Sequence, residues 1–188
     1  RVQRWADAEA AGMIRPSNLY ALAENCYQCH MVPNEELVNK GGHAAGSKFE
    51  LVAWSQGEVR HNVWYTKEND VADINRQRTM FLIGQMLELE YSLRGVSKAT
   101  AKATYAVSMA KRAARAKKRL AKIDELTGGA APEIKQALEA ASGAKLSLNN
   151  EVALVAAAEG VQEAAIAFAT NHDGSAFAGI DKALPAPE

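Results

Sequence analysis

A chain of 188 residues with 22 Lys and Arg against 22 Asp and Glu carries no formal net charge. It is long enough for one domain, or one with a small appendage, around a real core. No apolar run is expected to reach the ~20 residues a membrane-spanning helix needs. The start, Arg1-Val2-Gln3-Arg4-Trp5, has no apolar signal region, so the expectation is a mature form whose export signal, or an N-terminal anchor, has been removed.

The composition is helical, rich in Ala and poor in aromatics and β-branched alternation. Prolines stand only at 16, 33, 132, 185 and 187, so Asn34 to Ala131 contains no helix breaker of that kind. Pro16-Ser17-Asn18 opens the first segment, and Leu19, Leu22 and Ala23 give it one apolar face. This short helix ends at Val32-Pro33-Asn34. It carries Cys26-Tyr27-Gln28-Cys29-His30, which uses both cysteines of the chain.

C-x-x-C-H is the attachment signature of a c-type haem. Two thiols on one helical turn add across the two vinyl groups, and the next residue, His30, becomes the proximal iron ligand. Three other readings compete. One is a disulfide, and another is a thioredoxin-like pair, which wants a preceding strand and a βαβ context. The third is a two-Cys, two-His zinc knuckle, which needs two closely spaced histidines that His30, His43, His61 and His172 do not supply. Haem c is the reading adopted, with Cys26 and Cys29 as covalent attachment points. Covalent attachment takes place outside the cytoplasm, which places the protein in the periplasm or another extracytoplasmic space and makes a nucleic-acid partner inappropriate.

A loop follows to Gly46 and contains Gly41-Gly42-His43. Ser47 with Glu50 reads as a capping box, opening a helix that runs to about Tyr65 and carries His61. Asn69 or Asp70 caps the next helix, whose apolar residues recur from Val71 to Leu93 and which Gly95 ends. Glu88 and Glu90, without partners at metal-ligand spacing, are assigned to its surface, while Met80, Met86 and Met109 read as packing. Ser97 starts a helix that continues to the stop at Gly128-Gly129. Pro132 begins a shorter one to about Ser142, and Leu148 or Asn149 begins the last long one. The tail after Asn171 is Gly-, Ala- and Pro-rich and is expected to be loose.

The expected architecture is all-α. A short N-terminal haem-binding helix and loop (16–66) precede an antiparallel bundle of about four helices (67–171), and a loose tail (172–188) follows.

The iron's second ligand has several candidates. His61 is preferred, because a helix with apolar neighbours presents a nitrogen reproducibly and Arg60 beside it suits a propionate. His43 is the alternative, since the glycines before it let backbone approach a flat ring. A methionine, His172 or an open position are the remaining readings. From Lys98 to Lys122 the chain has nine Lys or Arg and no acid. That basic helix is read first as a solvated face balanced by Glu133, Glu139, Glu159 and Glu163. The sharper reading is a docking face for an acidic redox partner.

Asn25 to His30, then Gly42-His43, then Phe49-Glu50-Leu51-Val52-Ala53-Trp54-Ser55-Gln56-Gly57-Glu58-Val59-Arg60-His61-Asn62 resembles the haem-binding segment of bacterial cytochrome c family proteins. Some of these are similar to multihaem c-type cytochromes with bis-histidine haems. The resemblance covers about a third of the chain and implies electron transport with one covalently attached haem c. The chain departs from multihaem relatives in having one motif. It also departs from class I cytochromes c and from cytochrome c′ in the position of that motif. The expected function is therefore a monohaem electron carrier with six-coordinate bis-histidine iron, served by redox partner proteins. Association with a membrane complex and homo-oligomerisation are compatible with it. The competing function is a five-coordinate haem enzyme or sensor for peroxide, nitric oxide or carbon monoxide.

Overall fold

The structure, a computed structural model, describes residues 2–56 and 71–185. Their only regular elements are helices, joined by turns and loops, with no strand among the described residues. The order is α1 (Val2–Ala10), α2 (Leu19–His30), α3 (Glu35–Asn39), α4 (Leu51–Gln56), α5 (Ile74–Ser97), α6 (Thr104–Thr127), α7 (Pro132–Ala140), α8 (Glu151–Asn171) and a terminal 3-10 helix, Ser175–Ala183.

α5 is the axis of the molecule. From Arg78 to Val96 every residue but Tyr91 and Arg94 is buried. α6 and α8 pack along it, and α2, α4 and the 3-10 helix complete the sheath. A helix covered on all sides must be apolar or carry polar groups whose partners come from its neighbours. Leu82, Ile83, Met86, Leu87, Leu89 and Leu93 supply the apolar part. The polar part corrects the sequence reading, since Glu88 and Glu90 lie inside. Glu88 receives the Arg112 guanidinium from α6. Glu90 accepts from Tyr20 of α2 and from Arg94. Partners brought by other helices are invisible to spacing along one helix.

Four boundaries move for local reasons. α4 starts at Leu51 rather than Ser47, because the Glu50 carboxylate accepts from the Ala53 N–H (2.7 Å) and Ser47 is engaged elsewhere. Asp73 caps α5 by accepting from Asn75 and Arg76. Gly95 does not end α5: a Cβ there would lie 2.8 Å from Met109 Cγ and Sδ, so the glycine lets α6 approach closely. α6 starts at Thr104 instead of Ser97. The turn before it is held by α3, a helix within the segment read as loop. Glu35 accepts from Thr100 N–H, Thr100 O–H and Ala101 N–H, and Asn39 accepts from Tyr105 N–H.

The tail is packed rather than loose. Phe177 and Ile180 are buried, and Asp181 takes a bidentate bond from Arg78 of α5 at 2.6 and 2.7 Å. His172 stacks on Phe168 (4.8 Å) and bonds Glu133 at 3.0 Å. α8 is long and apolar enough to cross a membrane by length and composition, against the expectation above. In the fold it packs on α5 and α7, with Leu154, Ala158, Val161, Ala165 and Phe168 buried.

Candidate functional site

The closing turn of α2 holds Cys26, Cys29 and His30 together. Asn18 starts that helix by accepting from Ala21 N–H, and Met31 closes it. Tyr27, inside the motif, anchors the turn to the core: it is buried, and its hydroxyl donates to the Gly84 carbonyl of α5 at 2.8 Å. Helical spacing sets Cys26 and His30 one turn apart on one side, with Cys29 beside them. The two sulfurs are not joined to each other. Cys29 is exposed and Cys26 half-buried, its thiol 3.7 Å from the Leu22 carbonyl. Burial pushes the Cys26 thiol above its usual range.

His30 is half-buried and tightly oriented. Its Nδ1 lies 3.1 Å from Ser47 Oγ. Phe49 stacks on the ring with centroids 4.3 Å apart and planes 13° from parallel, and the Trp54 edge meets it at 5.0 Å. The main chain joins in, for Ser47 N–H donates to the His30 carbonyl at 3.0 Å. Segment 46–54 thus folds back onto the end of α2. With Nδ1 engaged by Ser47, Nε2 is the nitrogen that would coordinate a metal, an arrangement that fixes ring orientation and raises donor strength. The donor set, two thiols not bonded to each other and an oriented imidazole on one turn, fits a covalently held haem.

The remaining candidates divide. His61, with Arg60 beside it, lies outside the described residues. His43 is exposed, its Nδ1 2.8 Å from the Ala44 carbonyl, and it has no bond to the motif. Met80, Met86 and Met109 are buried packing side chains. His172 belongs to the Glu133 cluster. No group of three His, Cys, Asp or Glu side chains is gathered among the described residues.

Sequence reasoning missed Ser47, Glu88 and Arg112 as neighbours of the site. A cleft of about 620 Å³ opens between segment 45–50 and α6, lined by Ser47, Phe49, Glu50, Glu88, Arg112 and Arg119 among others. Phe49 forms the wall between this cleft and His30. Of the basic run, Arg112 is paired with Glu88 and Lys122 with Glu125, while Lys111, Arg115, Lys118 and Arg119 are exposed. The acids expected to balance that helix are not the ones that pair with it.

Glu50, at the cleft's edge, is held above the usual carboxylate range by burial, against hydrogen bonds from the α4 backbone and the charge of Arg119. Its Oε1 is buried without a partner. A carboxyl raised in the folded state contributes stability that is full below its unfolded value and is lost as pH rises through the folded one. Glu50→Gln keeps an acceptor for the Ala53 N–H and removes the ionisation. It is expected to melt above the parent at pH 7 and with it at pH 4, measured by thermal scans across that range.

No family model, curated protein or solved structure matches the chain.

Proposed function

We propose that this chain is a monohaem c-type cytochrome that carries single electrons in an extracytoplasmic redox pathway. Cys26 and Cys29 hold the haem through thioether bonds, and His30 is its proximal ligand. The observation that carries the reading is the closing turn of α2, where both thiols and an imidazole oriented through Nδ1 stand together. The haem supplies reversible one-electron exchange at its iron.

The chain's own residues supply rigidity. Tyr27 ties the motif to Gly84, Ser47 fixes the His30 ring, and Phe49 and Trp54 cover that ring from two directions. A proximal ligand held by packing and hydrogen bonds changes little with charge state, which keeps reorganisation small. In this reading α5, α6, α8 and the shorter helices form the antiparallel bundle that backs an N-terminal haem-binding segment. His61 is the preferred distal ligand and His43 the alternative. The exposed cations of α6 suit an acidic redox partner, whose encounter they would steer in a salt-dependent way.

The test is a mass measurement on denatured protein from a host competent in cytochrome maturation, followed by the ferrous visible spectrum. The expected mass exceeds the polypeptide by one haem, and the expected spectrum has the sharp α and β bands of low-spin six-coordinate iron. His61→Ala should lose those bands. Bands that persist unchanged point to His43, and rapid carbon monoxide binding by the parent would replace the electron carrier with the five-coordinate enzyme or sensor.

A further inference from the structure

We propose that Glu88 and Arg112 are positioning residues for the proximal histidine, acting through Ser47 to fix the His30 ring and strengthen its Nε2 as a donor. The inference rests on the haem reading above.

Four separate elements meet here: the end of α2, the segment before α4, the middle of α5 and the middle of α6. Ser47 is held at three atoms. Its N–H donates to the His30 carbonyl (3.0 Å), its hydroxyl pairs with His30 Nδ1 (3.1 Å), and its carbonyl accepts from Arg112 Nη1 (2.8 Å). The other face of the same guanidinium is taken by Glu88, Nε to Oε1 at 3.0 Å and Nη2 to Oε2 at 2.9 Å. Glu88 is 7% exposed. A carboxylate so buried holds its counter-charge firmly, because losing it leaves an uncompensated charge in the interior. Arg112 is therefore locked by Glu88 and has one fork left over for Ser47, which a planar guanidinium can serve simultaneously.

The backbone is shaped for this contact. Gly46 has φ +83°, and a Cβ there would come within 2.5 Å of Arg112 Nη1 and 3.0 Å of the His30 carbonyl. Any larger residue would push the guanidinium off Ser47 or the loop off His30. A surface arginine meeting a loop by chance would not need a glycine in a left-handed conformation to admit it.

The consequence for an iron bound at Nε2 has a definite sign. A proton on Nδ1 donated to Ser47 Oγ makes the imidazole a stronger donor, which favours the ferric state and lowers the potential. The positive charge of Arg112 acts oppositely, since a cation near the iron favours the ferrous state. Position and charge can therefore be separated.

The experiment compares midpoint potentials of the holoprotein with Ser47→Ala, Arg112→Lys and the double variant. Ser47→Ala should move the ferric–ferrous equilibrium about tenfold toward ferrous, about 59 mV upward for a one-electron couple. Arg112→Lys keeps the charge but cannot serve Glu88 and the Ser47 carbonyl together. It should raise the potential when Ser47 is present and leave it unmoved in the Ser47→Ala background. An equal shift in both backgrounds, or none in either, overturns the proposal.

A second readout is solvent exchange of the His30 Nδ1 proton by nitrogen-edited magnetic resonance, which Arg112→Lys should accelerate severalfold. Where the lysine variant does not fold, Arg112→Gln serves for that measurement. A parent chain that carries no haem sinks the functional reading alone. The exchange rate in that chain still decides the positioning claim, and a rate unchanged by the substitution ends it.

Discussion

Replacing Cys26 and Cys29 together with alanine will give a chain that weighs only its amino acids after denaturation, while its far-ultraviolet helical signal stays at the parent level. On the haem reading proposed above, the group would be lost because no thioether could form. The helices survive because neither sulfur belongs to the packed axis: Cys29 is exposed and Cys26 is half-buried. Tyr27, which anchors the same turn to Gly84, is left in place. Chromophore that remains attached through denaturation in this variant would refute the attachment chemistry. Collapse of the helical signal would instead show that the motif turn holds the fold, contrary to the burial pattern.

The second large effect concerns Arg94. Tyr20, Glu90, Arg94 and Gln162 close a ring of hydrogen bonds that joins α2, α5 and α8. Tyr20 donates to Glu90 (2.8 Å), Arg94 donates to Glu90 (2.8 Å) and to Gln162 (3.2 Å), and Gln162 donates to Tyr20 (3.1 Å). Glu90 is fully buried. Burial already pushes its carboxyl above the ordinary range, although Arg94 and Tyr20 oppose the shift. Burial likewise raises the Tyr20 hydroxyl, with the Glu90 charge adding to it, so the tyrosine stays a donor.

Arg94→Ala strips the counter-charge from an interior carboxylate and is expected to cost about 3–5 kcal/mol at pH 7, measured by urea denaturation. The cost should shrink as pH falls, because protonation of Glu90 removes the stranded charge. Removing both partners, Glu90→Leu with Arg94→Leu, should restore most of the loss, since Tyr20 and Gln162 still bond each other. A loss below about 1 kcal/mol for the single variant, the range of an exposed pair, would mean that water reaches Glu90.

What the sequence announced, and what it concealed, follow from the range of the forces involved. α2 with its Asn18 cap, α7 behind Pro132 and the left-handed stop at Gly128 are set within a few residues, so local chemistry reveals them. The C-x-x-C-H turn is equally local. Gly95 looked like a terminator because the residue that needs its missing side chain, Met109, stands on another helix. Glu88 and Glu90 looked like surface acids for the same reason. The segment 35–39 looked like loop because five residues show no period, yet its Glu35 and Asn39 organise the start of α6. The tail looked loose by composition, but Phe177 and Ile180 find a groove that only the assembled helices create. Around the candidate site, the motif named its own three residues. Ser47 was read as a helix cap because its true partner lies seventeen positions back.

The sheath around α5 bears on when this polypeptide becomes compact. Its axis stays uncovered along one flank, with Arg78 lacking a counter-ion, until residues 175–183 have left the ribosome and found their groove. Early portions of the chain therefore have no finished body to settle into, and closure waits on the late arrivals. A nascent chain that closes late shows its apolar faces to chaperones and proteases for longer than one whose core is complete after its first half.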